Sequence, residues 1–259
     1  MVQIKNSEQL AIMRKAGRIT GEAILAARDH IKEGVSTKEL DTVIRNYIEK
    51  CGAKPSFLGY GGFPGSACIS INNEVIHGIP SADRILHEGD LVKIDVGAHY
   101  HGFHGDSANT FGVGKISDEA QRLIDVTRES FFRGVKMAVA GNRIGDIGST
   151  IASYAEGLGF GVVRQYVGHG VGHDLHEDPE VPNFGTAGRG ARLYTGMTIA
   201  IEPMISMGGW KVYCEDNDWT IVTQDHSLCS HYEHTVLITD GEPEILSYPG
   251  KTVAEVLRR

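Results

Sequence analysis

Cysteine is scarce in this chain: Cys51, Cys68, Cys214 and Cys229 are all there is, and no two of them form a C-x-x-C pair. Scattered thiols of this kind exclude a disulfide framework and a zinc knuckle, and they fit a reducing compartment. Long apolar runs are missing as well. Between Met1 and Glu33 the apolar residues Leu10, Ile12, Met13, Ile19, Ile24 and Leu25 are interleaved with charge, so neither a signal-peptide core nor a membrane span is expected. Basic residues are outnumbered, 25 Lys and Arg against 33 Asp and Glu, and the net charge of −8 argues against stable nucleic-acid binding. The expectation is a soluble, cytoplasmic protein whose 41% hydrophobic content supports a sizeable core. Glycine, by contrast, is abundant at 33 of 259 residues, against an average of roughly 7%. Tight turns and close backbone approaches follow from it.

The chain reads as one pattern used twice. Ser7 precedes apolar residues at Leu10, Met13, Ala16, Ile19, Ala23 and Ala27, which mark one face of a helix to about Ile31. Ser36-Thr37-Lys38-Glu39 is a capping box that opens a second helix through Leu40, Val43, Ile44, Tyr47 and Ile48, stopped near Gly52. Strand-like stretches follow at 67–76, 91–98 and 106–113. Ser117-Asp118-Glu119 then begins a long helix closed by Gly141-Asn142, a second helix covers 144–157, and strands are expected near 162–168, 196–205, 210–214, 219–224 and 231–239. Helix pair then sheet, repeated at a spacing of about 110 residues, implies an α+β architecture with antiparallel sheet inside and helices outside. The expectation is a single domain over 1–259 made of two similar halves, about 1–113 and 114–259.

Five ionisable residues stand where a soluble protein has little reason to place them. Asp95, Asp106, His169, Glu202 and Glu233 each lie in or beside an apolar, strand-like run such as Leu91-Val92-Lys93-Ile94-Asp95-Val96. A buried carboxylate without a partner costs several kcal/mol, so a cation must face these groups. Lys93 could pair with Asp95 across one alternation, but no Lys or Arg lies within three positions of Glu202 or Glu233. Bound metal is the simplest answer. Four carboxylates and a neutral imidazole carry −4, which two divalent ions cancel, and hard oxygens of this number suit a two-metal hydrolase better than a lone zinc. The histidine segment Gly168-His169-Gly170-Val171-Gly172-His173-Asp174-Leu175-His176 has the spacing of a helical zinc pair, yet its glycines make a helix improbable. An extended loop that displays His169 and His176 separately is the better expectation, with His77 a further candidate at a strand end.

These residues, together with Asn72-Asn73-Glu74-Val75-Ile76-His77-Gly78-Ile79-Pro80, Ile201-Glu202-Pro203 and Tyr232-Glu233-His234-Thr235, closely resemble type I methionine aminopeptidase over nearly the whole chain. The resemblance implies the pita-bread fold, a curved antiparallel sheet with outer helices and internal pseudo-two-fold symmetry. It implies two divalent ions, Co, Mn, Fe or Zn, held by Asp95, Asp106, His169, Glu202 and Glu233, with Glu202 also the proton acceptor for the attacking water. It places His77 near the scissile amide nitrogen and His176 near the carbonyl oxygen. Tyr60, Phe63, Cys68, Leu175 and Trp219 match the methionine pocket. Phe57, Phe63 and Leu175 depart from the familiar bacterial pattern of Cys, Tyr and Phe at those positions, which leaves the pocket apolar but alters its shape. The implied partners are nascent polypeptide N-termini and, transiently, the ribosome; a monomer with no membrane contact is expected.

Taken singly, each carboxylate is more often a surface or ion-paired residue, and each aromatic more often core. His99, His101 and His104 read as a solvated hairpin tip rather than a metal cluster. His173 and His234 flank the candidate ligands and are equally well explained as supporting partners or as ordinary packing. Two rivals stand beside the aminopeptidase. One is an X-Pro peptidase of the same fold, which commonly carries an extra N-terminal domain. The other is a non-catalytic binding protein of that fold, against which the complete ligand set argues.

Overall fold

The structure is a computed structural model that describes residues 2–248 and the short strand Lys251–Thr252. Four helices take the expected places. The first, α1, spans Ser7–Arg28 and is capped one residue earlier than the sequence suggested: the Asn6 side chain accepts from Gln9 N while the Gln9 side chain accepts from Asn6 N. It also ends before Ile31, because the next amides tighten onto nearer carbonyls, with His30 N bonded to Ala27 O and Ile31 N to Arg28 O. The helix α2, Thr37–Lys50, carries the capping box read in Ser36 and Glu39. The third and fourth, α3 and α4, cover Asp118–Val135 and Ile144–Gly157; α3 stops short of the expected Gly141-Asn142, where Met137 N and Ala138 N turn onto the nearer carbonyls of Gly134 and Val135.

All strand pairs are antiparallel. A ten-stranded sheet runs in the order Lys54–Pro55, Leu91–Tyr100, Phe103–Gly112, Glu233–Leu237, Thr198–Ile201, Gly168–Gly170 and Glu177–Val181, with Cys68–Ile71 joined to Leu91–Tyr100 off that path. Two three-stranded sheets flank it. The core repeats as the pattern did. Ile19, Ala23, Leu40, Ile44 and Ile48 of α1 and α2 pack on Val92, Ile94 and Val96; Phe131, Val135, Ile147 and Ile151 of α3 and α4 pack on Ile199, Ile201 and Val236.

Several expected strands are broken, two of them at a residue with a reason to break them. The 67–76 stretch becomes Cys68–Ile71 and Glu74–Ile76, turned at Asn72, whose φ of 54° lies in the left-handed region that Asn tolerates. The 196–205 stretch stops at Ile201 and resumes at Met204 in a different sheet, because Pro203 has no N–H to continue a ladder. The 231–239 stretch likewise divides into Cys229–His231 and Glu233–Leu237, and the 162–168 stretch into Gly161–Val162 and Gly168–Gly170. Among the described residues no helix is long and apolar enough to cross a membrane.

Candidate metal centre and cavity

Residues directly opposite on antiparallel strands point to the same face of a sheet. In the large sheet Cys68 pairs with Asp95, Asp95 with Ala108, and Ala108 with Glu233. One lateral row therefore carries two carboxylates with only the Ala108 methyl between them, and Asp106, two residues from Ala108, shares that face. Asp106 is pinned by a double tie: its N–H donates to Thr235 Oγ1 at 2.9 Å, and the Thr235 hydroxyl donates to Asp106 O at 2.8 Å. Glu202 follows Ile201, which pairs with His234 beside Glu233.

His169 reaches the same point from the neighbouring strand. Its flanking glycines are required by close approach, since a Cβ on Gly168 would lie 2.3 Å from Ala200 O and one on Gly170 2.3 Å from Asp178 O. The expected extended loop is thus in part a strand, Gly168–Gly170, squeezed between two others. Nδ1 of His169 lies 2.9 Å from Gly170 O; a carbonyl only accepts, so Nδ1 carries the proton and Nε2 presents a lone pair. That nitrogen stands 3.8 Å from Asp106 Oδ2 and 3.7 Å from Glu202 Oε1. These are not ion pairs, because burial and the nearby His176 push the His169 pKa down to about 3 and leave the ring neutral.

Ligand atoms of Asp106, His169 and Glu233 all lie within 4.8 Å of one another. Asp95 Oδ1 and Asp106 Oδ1 are buried without a hydrogen-bond partner. Burial raises the Asp106 pKa to about 7. Burial together with neighbouring carboxylates pushes Asp95, Glu202 and Glu233 well above the usual carboxylate range. Among the described residues no cation relieves this crowding. Lys93, which alternation alone could have paired with Asp95, donates to Asn72 O at 2.7 Å and Cys229 O at 3.4 Å, where it is fully buried. Orphaned carboxylate oxygens beside an unprotonated imidazole nitrogen are the donor set of a divalent-ion site, and oxygen-rich sites of this kind accept Mn, Fe, Co or Zn.

All twelve residues expected at the site line a single cavity of about 170 Å³, together with Phe57 and Ile76. Phe57, Phe63, Cys68 and Leu175 form one buried apolar cluster against which Ile79 and Trp219 pack, and the Phe63 and Trp219 rings meet edge to face at 5.1 Å. Tyr60 is 47% exposed and so sits at the mouth, where its hydroxyl lies 2.8 Å from His176 Nδ1. His77 has a φ of 59°, an uncommon conformation for a residue with a Cβ and one that clusters at functional sites. Burial, with His176 nearby, pushes its pKa down to about 4.

The His99-His101-His104 hairpin tip is only partly solvated. His101 is exposed, whereas His104 shares a 2.8 Å hydrogen bond with Ser56 Oγ and is held near pKa 4 by burial. His234 is buried among Ser107, Ser247 and Tyr232, within hydrogen-bond distance of each. His173 is exposed and lies against Phe103. Two residues at the centre escaped the sequence reading. Asn183, fully buried, donates to Glu202 O at 2.9 Å, a backbone contact that leaves no trace in spacing. His231 Nε2 lies 3.7 Å from Glu202 Oε2 and 3.8 Å from Glu233 Oε2; its position two residues before Glu233 was the available signal.

The model of metallopeptidase family M24 matches residues 11–240. A methionine aminopeptidase of Clostridium acetobutylicum is 55% identical over 95% of this chain and 99% of its own length. The solved methionine aminopeptidase of Thermotoga maritima superposes with a TM-score of 0.94 at 44% identity, covering 95% of this chain and 99% of that one. The prolidase from Pyrococcus furiosus gives a TM-score of 0.76 at 28% identity, and the match spans 94% of this chain but 65% of the prolidase.

Proposed function

The chain belongs to metallopeptidase family M24 and is a metal-dependent aminopeptidase of pita-bread fold, and from that premise we propose that it removes the N-terminal methionine of nascent polypeptides whose second residue is small. The observation that carries this reading is an apolar cavity closed at one end by orphaned carboxylates. Such a space accepts a single apolar side chain and ends where a peptide bond is to be cut.

Asp95, Asp106, His169, Glu202 and Glu233 would hold two divalent ions. Those ions supply Lewis acidity toward the scissile carbonyl and make water nucleophilic at neutral pH. Glu202, whose basicity is raised by burial, accepts the proton of the attacking water. His176 is oriented by Tyr60: a phenol O–H donating to Nδ1 leaves the proton on Nε2, available to the carbonyl oxygen as negative charge develops there. His77, neutral at physiological pH, faces the leaving amide nitrogen. Phe57, Phe63, Cys68, Leu175 and Trp219 surround the methionine side chain and exclude water from it.

The catalytic unit of this proposal is the whole of 1–259, with halves about 1–113 and 114–259 that each contribute ligands to one cleft. It acts in the cytoplasm as a monomer, with transient ribosome contact. The test is turnover of a Met-Ala-Ser peptide by chelated protein titrated with Co, Mn, Fe and Zn in turn. Restoration by at least one ion supports the proposal, and cleavage of Gly-Pro in place of Met-Ala-Ser would convert it to the X-Pro reading favoured by the prolidase likeness.

A further inference from the structure

His231 faces two of the carboxylates and the mechanism leaves it unused, and its position is hard to explain as packing. It ends the strand Cys229–His231, paired with Met204 of the adjacent strand, and is 1% exposed. Neither ring nitrogen has a hydrogen-bond partner among the described residues. Burying a polar atom unsatisfied costs about 1–3 kcal/mol, so a native imidazole in this state calls for a reason.

The geometry supplies one. Nε2 stands 3.7 Å from Glu202 Oε2 and 3.8 Å from Glu233 Oε2, too far for a hydrogen bond but within a side-chain adjustment of one. Both neighbours are acceptors when ionised, so the nitrogen that faces them must be the protonated one. Glu202 thus lies between two imidazoles of opposite character. Its Oε1 faces His169 Nε2, a lone pair that tolerates a carboxylate only across a cation, while its Oε2 faces His231 Nε2.

Resting on the dimetal reading above, we infer that His231 is a positioning residue: its Nε2–H donates to the Oε2 atoms of Glu202 and Glu233 and so directs the other oxygens of both side chains toward the ions. His231 is absent from the cavity lining, as befits a group that holds the ligands rather than the substrate.

The test compares His231→Leu, which has no donor, with His231→Gln, whose amide N–H replaces it. Isothermal titration of metal-free, full-length protein with Co²⁺ is expected to show about 10–100-fold weaker binding for His231→Leu, the usual effect of losing a hydrogen-bond partner of a metal ligand, and recovery for His231→Gln. A structural role alone would lower the melting temperature of the metal-free protein without this recovery of affinity. Wild-type affinity in a folded His231→Leu variant overturns the inference. Should that variant not fold, imidazole ¹⁵N spectra of the zinc-loaded wild type decide: a proton on Nε2 of His231 upholds the assignment, and a proton on Nδ1 alone overturns it. If the wild type itself binds no metal, the dimetal reading fails, a result separate from either of these.

Discussion

The hydroxyl of Tyr60 lies 2.8 Å from Nδ1 of His176, so one residue at the cavity mouth holds the imidazole proposed to meet the carbonyl oxygen. Replacing Tyr60 by Phe keeps the ring and its contact with His176 but frees the imidazole to carry its proton on either nitrogen. Loss of one such hydrogen bond is worth about 1 kcal/mol. The expected outcome is a fall in kcat of roughly 5–10-fold with KM for Met-Ala-Ser little changed. An effect confined to KM would place Tyr60 in binding instead.

Glu202→Gln removes the proton acceptor while retaining shape. A fall in kcat of about 10²–10⁴-fold is expected, measured with each divalent ion at saturation so that weakened metal binding does not masquerade as lost chemistry. Unchanged turnover would refute the role given to this side chain.

Ala108 separates Asp95 from Glu233 in one lateral row and is fully buried. Ala108→Val adds two methyl groups on the face that the carboxylates share. Overpacking of this size costs about 1–3 kcal/mol, so the protein should fold with a lowered melting temperature, while Co²⁺ affinity falls well beyond that of a comparable substitution elsewhere in the core. Retention of wild-type affinity would show that the carboxylates do not need that space.

Much of this site was legible in the sequence because its chemistry is discordant with its surroundings. Asp95 inside Leu-Val-Lys-Ile-Asp-Val and Glu202 at the end of Ile-Ala-Ile announce themselves as charge where only apolar residues belong. Lys93 announced itself in the same way, and spacing left a pairing with Asp95 open; backbone carbonyls of Asn72 and Cys229, distant in the chain and invisible in composition, take its proton donors. Strand breaks at Asn72, Pro203 and Tyr232 were missed for a related reason. Periodicity reports which residues are buried, and burial continues through a break when the chain passes from one sheet to another.

Metal and pH are linked through Asp106. Its pKa is about 7 in the folded, metal-free protein, against about 3.9 in an unfolded chain. The folded state therefore retains a proton that the unfolded state has lost across that interval, and the stability of the metal-free protein falls as pH rises through it. A divalent ion takes the place of the proton. Scanning calorimetry should show the gain in melting temperature on saturation with Co²⁺ increasing from about pH 5 to about pH 8. A gain that stays flat or shrinks over this range would contradict the raised carboxylate. His169 contributes no slope to metal binding there, because it is already neutral.

Lys5 and Glu177 form a buried ion pair at 2.5 Å, with side chains 3% and 4% exposed, and Glu177 Oε1 also accepts from His173 N at 2.7 Å. Removing one member of such a pair strands the other; Lys5→Met is expected to cost about 3–5 kcal/mol in urea unfolding. Because Glu177 adjoins His176, kcat should fall as well. A neutral substitution would mean that the backbone amides of the loop hold Glu177 without help.

The row that joins Asp95, Ala108 and Glu233 also fixes when a newly made copy of this protein can begin to work. Its first carboxylates are made well before the strand Glu233–Leu237 that completes the row, and that strand lies in the middle of the sheet between Phe103–Gly112 and Thr198–Ile201. Until that strand is inserted, the two earlier neighbours have nothing to pair with across the gap and the acid cluster lacks a member. A chain that stops short of that strand therefore carries some of the carboxylates but not the complete cluster.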